Sequence, residues 1–112
     1  MGRARIALFA FVTLFATTAN SAETGQVLVI RANQFQPAQI DVPQGVKVKL
    51  TIRNEALLPA EFESYDLSRE IVVAPGGQAT LFIGPLKPGR YEFFNDFDRS
   101  MKGVVVAKPA QP

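Results

Sequence analysis

The sequence predicts an all-β protein, a Greek-key β-sandwich of about eight strands. Apolar and polar residues alternate with a period of two, most clearly over residues 46–53, where four aliphatic side chains alternate with Lys, Thr and Arg. Pro, Gly and Asn separate these short segments, and no helical window interrupts them. Short strands joined by frequent turns are typical of a two-sheet sandwich.

Eight segments are predicted as strands because each combines apolar alternation with a neighbouring turn signal. They are residues 26–31, 38–42, 46–53, 60–64, 70–74, 78–83, 90–94 and 103–107. Asn33–Pro37 is predicted as a turn, and a short polar loop is expected after Asn95. Residues 86–91, LKPGRY, have the spacing of a tyrosine corner, in which the Tyr hydroxyl bonds to backbone a few residues upstream and fixes a Greek-key crossover.

The N-terminus has the three parts of a secretory signal peptide, which we predict over residues 1–22. A basic start precedes an apolar stretch at residues 6–16, and small residues follow. We expect cleavage after Ala22, with cleavage after Ala19 as the alternative. An uncleaved N-terminal membrane anchor is the second interpretation, although the apolar stretch is short for a bilayer span. The sequence therefore predicts export to the periplasm.

Residues 23–112 are predicted to form one domain, and its composition argues against several functions. The whole chain carries 12 Lys and Arg against 10 Asp and Glu, so removal of Arg3 and Arg5 leaves 10 of each and no net charge. Neither this balance nor any Lys/Arg cluster in the sequence indicates nucleic-acid binding. The chain contains no Cys, so its stability must come from the core rather than from disulfides.

Several motifs along residues 23–112 resemble the cupredoxin family. They are NQFQPAQIDVPQG at 33–45, VKLTIRN at 48–54, LKPGRYEF at 86–93 and KGVVV at 102–106. More narrowly, PAEFES at 59–64 together with GPLKPGRY at 84–91 resembles small periplasmic cupredoxin-like proteins akin to the domain in EfeO-type iron-uptake proteins. Those relatives tend to accompany ferrous-iron permeases. The resemblance implies a cupredoxin-like fold and a link to iron transport.

The resemblance also implies where a blue-copper site would lie. Such a site needs two imidazoles, a thiolate and a weak axial thioether. Matched to the family pattern, the two His positions fall at or beside Ala60 and at Asp98, the Cys position at Asn95, and the Met position at Met101. Because the chain has no His and no Cys, type 1 copper and blue-copper electron transfer are excluded. We expect the Asn95 amide to be hydrogen-bonded and to close the former site.

An oxygen-donor metal site is the main hypothesis for what replaces copper, because the iron-associated relatives often carry His where this chain has Tyr65 and Asp98. Hard oxygen ligands suit ferric iron, Mn or Ca, and a Tyr phenolate favours Fe(III). The expected cofactor is an iron ion, with copper as the alternative. The segment around residues 61–66 and the loop after Asn95 are expected to meet at one end of the sandwich. The predicted metal ligands are Glu63, Tyr65, Asp96, Asp98 and Met101.

Each predicted ligand also has a purely structural interpretation. The two Glu residues that flank Phe62 match an ordinary solvent-facing strand surface. Asp96 and Asp98 lie close in sequence to cationic residues, so surface ion pairs are the default expectation. Tyr65 is expected to pack its ring like most half-buried tyrosines. Met101 fits a flexible core side chain at least as well as a ligand.

Three functional interpretations follow. The first is a periplasmic accessory protein for metal, chiefly iron, uptake or handling, whose partner is a membrane iron permease or a periplasmic metal-transport protein. The second is a metal-free β-sandwich binding module for a partner protein. The third, an enzyme such as a ferroxidase, is the weakest because a chain without His and Cys offers no familiar nucleophile or metal-water constellation. We therefore predict a non-enzymatic protein with no catalytic residue, no nucleic-acid partner and no small-molecule substrate.

Overall fold

Two β-sheets form the domain in the part of the chain that the structure, a computed structural model, describes: Gly2 and residues 24–109. Its nine strands are β1 (Thr24–Arg31), β2 (Gln34–Gln36), β3 (Gln39–Pro43), β4 (Val48–Asn54), β5 (Ala60–Ser64), β6 (Arg69–Val73), β7 (Gln78–Ile83), β8 (Gly89–Asn95) and β9 (Asp98–Lys108). Their order is β2-β1-β4-β7 in the four-stranded sheet and β3-β9-β8-β5-β6 in the five-stranded sheet. The predicted all-β sandwich is confirmed, and the predicted signal peptide lies, apart from Gly2, outside the described residues. No helix among the described residues is long and apolar enough to cross a membrane.

The core lies between the two sheets because each strand turns alternate residues inward. In β4 the buried aliphatic residues alternate with Lys49, Thr51 and Arg53, which face outward. Three aromatic rings fill the centre: the centroid of Phe93 lies 5.0 Å from that of Phe35 and 4.9 Å from that of Phe62. Burial of side chains this large contributes about 1.5–3 kcal/mol each relative to exposure, so the domain has a core that needs no disulfide.

Two predicted connections differ from the structure: one contains a short strand, and the other is shorter than expected. Gln34–Gln36, within the segment predicted as a turn, forms β2 and pairs antiparallel with the end of β1. It is only three residues long and buries one side chain, Phe35. A single buried residue gives too little alternation to predict a strand from the sequence. The loop expected after Asn95 is a short turn instead, because Asn95 pairs with Asp98 and β9 begins five residues earlier than predicted.

The tyrosine corner is formed as predicted. The Tyr91 hydroxyl donates a 2.8 Å hydrogen bond to the Lys87 carbonyl. This bond ties the start of β8 to the connection that crosses from the four-stranded to the five-stranded sheet. At the other end of β8 the pairing with β9 shifts register between Phe94 and Asn95.

Candidate functional site

The four positions that the family resemblance assigned to copper lie together at one end of the sandwich. Ala60 begins β5, Asn95 ends β8, and Asp98 and Met101 belong to β9. All four line one small cavity of about 90 Å³. We call it the Asn95 cavity, defined by Leu58, Ala60, Asn95, Phe97, Asp98 and Met101.

The Asn95 side chain closes this cavity with three hydrogen bonds. Its Oδ1 accepts from the backbone N–H of Glu61 at 2.9 Å and from that of Phe97 at 3.1 Å. Its Nδ2 donates to the Met101 Sδ at 3.4 Å. Asn95 is only 5% exposed, and a buried amide is stable only when it is paired in this way. The expectation that Asn95 closes the former copper site agrees with this geometry.

The residues of the Asn95 cavity do not fit the copper ion that the fold family implies. Ala60 has no donor atom, and the Asn95 amide is used within the protein. The Asp98 Oδ1 accepts from the backbone N–H and the hydroxyl of Ser100, at 3.2 and 2.5 Å. Met101 is 5% exposed, and its sulfur already accepts a hydrogen bond. One occupied thioether and one surface carboxylate cannot replace the imidazoles and thiolate of a blue-copper centre.

Tyr65 lies away from the Asn95 cavity, although the two segments meet elsewhere: the Asp96 N–H donates to the Glu61 carbonyl at 3.0 Å, and Tyr65 and Arg99 border the same groove. It follows the opposite end of β5 from Ala60, so the two residues are roughly 16 Å apart along an extended strand. The ring is 66% exposed and packs against Phe94 with a centroid separation of 5.3 Å. The expected cluster of Tyr65 with Asp98 and Met101 does not form at the Asn95 cavity, because the length of β5 separates Tyr65 from the end of the sandwich where Ala60 lies.

Asp96 is held in a surface ion pair with Arg99, as its structural interpretation predicted. The Arg99 Nη2 lies 2.8 Å from the Asp96 Oδ1, and the guanidinium stacks 5.3 Å from the Phe94 ring centroid. The hydrogen bond and charge of Asp96, with a smaller contribution from Tyr65, raise the pKa of Arg99. A metal ion between Asp96 and Tyr65 would therefore have to displace a guanidinium. Tyr65, Phe94 and Arg99 border an open groove of about 410 Å³, larger than the Asn95 cavity, and none of the four family positions lines it.

Glu63 lies near Asp96, among carboxylates on the outer face of the five-stranded sheet. Glu63 pairs with Glu70 across β5 and β6, and Glu61 shares the same face. One oxygen from each of the three lies within 4.8 Å of the others. Desolvation, followed by repulsion from Asp96 and Glu70, raises the pKa of both Glu61 and Glu63. Glu70 was missed from sequence, although the antiparallel register of a β5–β6 hairpin would have placed it there.

An exposed apolar rim, also missed from sequence, surrounds the Asn95 cavity. Leu57 is 93% exposed, Leu58 72% and Phe97 56%. The loop that carries the two leucines is fixed by the buried Asn54, whose Nδ2 donates to the carbonyls of Leu58 at 2.8 Å and Val73 at 3.1 Å. Large apolar side chains on a rigid loop are a common mark of a contact surface.

Comparisons with known proteins agree with this fold. A family profile described as Cupredoxin-like domain matches residues 4–107. An uncharacterized protein of Rickettsia prowazekii (strain Madrid E) is 41% identical over 80 residues, which cover 70% of this chain and 64% of that protein. The chain thus spans less than two thirds of the length of this relative.

Solved structures with low sequence identity share the fold alone. Reduced auracyanin from the photosynthetic bacterium Roseiflexus castenholzii aligns with a TM-score of 0.65 at 17% identity, over 77% of this chain and 98% of that one. The metal binding domain of the Streptococcus pneumoniae D39 Cu(I) exporting P-type ATPase CopA, solved with Cu(I), aligns with a TM-score of 0.64 at 15% identity, over 78% and 85%. The extent of the family match and the two-sheet architecture together show that this chain belongs to the cupredoxin-like domain family.

Proposed function

We propose that this chain is a periplasmic, cupredoxin-like accessory protein for metal, chiefly iron, uptake or handling, without blue-copper electron transfer and without enzymatic activity. The proposal that the chain lacks blue-copper electron transfer rests on the Asn95 cavity. There Ala60, Asn95 and Asp98 stand at the positions of the copper ligands, and the Asn95 amide binds the Met101 thioether. A scaffold that retains its core while this site is closed must act through other parts of its surface.

The support for iron comes from the resemblance of residues 59–64 and 84–91 to EfeO-type cupredoxin-like proteins, and from the chemistry of the donors. With no His and no Cys in the chain, oxygen is the ligand atom that the domain can offer at its surface. Carboxylate oxygens suit ferric iron better than they suit Cu(I). The partner that fits this role is a membrane iron permease or a periplasmic metal-transport protein.

The predicted ligands divide between two places: Asp98 and Met101 lie at the Asn95 cavity, and Glu63, Tyr65 and Asp96 lie on the outer face of the five-stranded sheet. Asp98 and Met101 are engaged at the Asn95 cavity, and Asp96 is engaged with Arg99. Glu63, with Glu61 and Glu70, retains carboxylate oxygens that accept no hydrogen bond from other described side chains. Direct binding of iron to the domain is therefore tested by substituting these glutamates.

The test is thermal unfolding of the full chain with Fe(III), Fe(II), Mn(II), Ca(II), Cu(I) and Cu(II). A ligand that binds the native state raises the unfolding temperature by mass action. The proposal predicts a rise with iron that Glu61→Gln/Glu63→Gln abolishes and that Asp41→Asn/Glu92→Gln, a control that removes the same charge from the same sheet, retains. No rise with any ion would contradict direct metal binding.

The second candidate, a metal-free binding module for a partner protein, is favoured by the apolar rim of Leu57, Leu58 and Phe97. The Asn54 bonds hold the backbone of the loop that carries Leu57 and Leu58, which lowers the entropy cost of docking. It predicts that Leu57→Ser/Phe97→Ser loses capture of a periplasmic partner, whereas Val72→Ser, an exposed residue of β6, does not. Equal capture by all three proteins would contradict this candidate.

A further inference from the structure

The outer face of the four-stranded sheet collects cations that are scattered in the sequence. Lys49 and Arg53 point outward from β4, on either side of the half-buried Thr51. Lys47 precedes this strand, and its Nζ lies 4.5 Å from the ring centroid of Phe82, which pairs with Lys49 in the register. Arg31 ends the neighbouring β1. We call Arg31, Lys47, Lys49 and Arg53 the basic face.

Carboxylates are nearly absent from this face. None of β1, β2, β4 and β7 contains Asp or Glu. Glu55, just beyond β4, forms an ion pair with Arg31 and lies 3.6 Å from Arg53. Lys47 and Lys49 have no ion pair among the described residues. Four cations therefore face a single carboxylate, and the face carries a clear positive excess.

The opposite side of the sandwich carries both signs of charge, because Arg90, Lys102 and Lys108 lie on the outer face of the five-stranded sheet among its carboxylates. The outer face of the five-stranded sheet carries Glu61, Glu63 and Glu70, which lie close enough to raise the pKa of the first two. Carboxylates offset the cations of the five-stranded sheet, whereas the basic face has only Glu55, so an anionic surface attracts the basic face more strongly. Charge thus selects one orientation, with the four-stranded sheet toward the anion.

We propose that the basic face docks on a bilayer that contains anionic phospholipids. The face is the pleated surface of a sheet rather than a groove, and its two β4 cations, Lys49 and Arg53, stand about 13 Å apart along the strand, so it fits a flat array of headgroups. Val27, 51% exposed and paired with Thr51, places an aliphatic side chain at the centre of the same face. This inference is independent of the proposed role in iron handling.

The test is cosedimentation of the full chain with vesicles of phosphatidylcholine alone and of phosphatidylcholine mixed with phosphatidylglycerol. The readout is the increase in binding that phosphatidylglycerol causes, because any insertion of the apolar N-terminus contributes to both vesicle types. We expect Lys47→Gln/Lys49→Gln/Arg53→Gln to lower this increase by roughly a hundredfold at low salt, since each cation near an anionic surface contributes about fivefold. The control, Arg90→Gln/Lys102→Gln/Lys108→Gln, removes the same number of positive charges from the five-stranded sheet. It should retain most of the increase in binding that phosphatidylglycerol causes.

Added salt should abolish the phosphatidylglycerol-dependent binding, because exposed charges are screened within about 8 Å at physiological ionic strength. Equal losses in the two triple variants would overturn the proposal, since net charge rather than the basic face would then explain the binding. No increase with phosphatidylglycerol would overturn it as well. Tighter retention of duplex DNA than of the anionic vesicles at the same salt would reassign the face to another polyanion.

Discussion

The Asn95 amide donates to the Met101 sulfur at 3.4 Å, so the side chain at the family's cysteine position binds the side chain at its methionine position. In a blue-copper protein both side chains would face the metal. Here they face each other, and the Asn95 Oδ1 accepts from two backbone N–H groups. The closed end is thus a hydrogen-bonded structure in its own right rather than a copper site that lacks its ion.

Replacement of Asn95 by Ala should destabilise the domain by about 2–4 kcal/mol. The change leaves the part-buried N–H groups of Glu61 and Phe97 without their partner, and each costs about 1–2 kcal/mol, the lower part of the range for an unpaired donor. Urea unfolding measures the loss. Gln39→Ala, which removes an exposed amide bonded to Asp41, is the control and should cost less than about 0.5 kcal/mol. Equal losses would show that the Asn95 bonds contribute little.

Gly103→Ala should destabilise the domain by about 1–3 kcal/mol through overpacking. A Cβ on Gly103 would lie 2.2 Å from Phe93 Cζ and 2.9 Å from the Ala38 carbonyl oxygen. The Phe93 ring is fixed between Phe35 and Phe62 and has little room to move. Differential scanning calorimetry checks the change.

A double-mutant cycle separates this steric effect from a backbone effect. In a Phe93→Leu background the ring is gone, so Gly103→Ala should cost less than in the parent, with the Ala38 contact retaining part of the penalty. The same cost in both backgrounds would contradict overpacking against Phe93.

Glu61 and Glu55 should respond to pH with opposite signs. Desolvation and repulsion from Asp96 raise the pKa of Glu61 above 4.5, so its charged form opposes folding at neutral pH. The hydrogen bond from Arg31, followed by the charges of Arg31 and Arg53, lowers the pKa of Glu55 below 4.5, so its charged form favours folding. Glu61→Gln should therefore stabilise the domain at neutral pH, and Glu55→Gln should destabilise it.

Both effects should fade on acidification, but over different ranges. The gain in Glu61→Gln disappears as pH falls through the raised pKa to below 4.5, where the parent is protonated in both states. The loss in Glu55→Gln persists until pH falls through the lowered pKa. Urea midpoints measured across pH 7 to pH 3 test this, and a loss of stability in Glu61→Gln at neutral pH would refute the assignment.

Sequence alone predicted the sandwich because its signals are local. The alternation around Lys49 and Arg53 identifies β4, and LKPGRY identifies the Tyr91 corner. The structure also places Phe62 in the core with Glu61 and Glu63 outward, as the period of two requires.

What sequence did not predict depends on how strands are aligned. The Glu63–Glu70 pair requires the β5–β6 register, and the position of Tyr65 depends on the length of β5. The sequence did not indicate the basic face, because its cations come from two strands that pair only in the fold and from residues that are not adjacent in the chain. They form no Lys/Arg run in the sequence. Side chains from separate strands form a site only once the register is known.

We infer that the end of the sandwich that holds copper in the family keeps its backbone arrangement here, while its ligands have been replaced. The most direct test is a copper titration of the wild type beside Ala60→His/Asn95→Cys/Asp98→His. We predict no blue thiolate-to-copper absorption and no copper-dependent rise in unfolding temperature for the wild type. The triple variant, with Met101 retained, should gain both, and the same variant with Ser at position 95 should lose the blue band. A wild-type chain that binds copper with a dependence on Asp98 and Met101, or a triple variant that folds but stays colourless, would contradict the account.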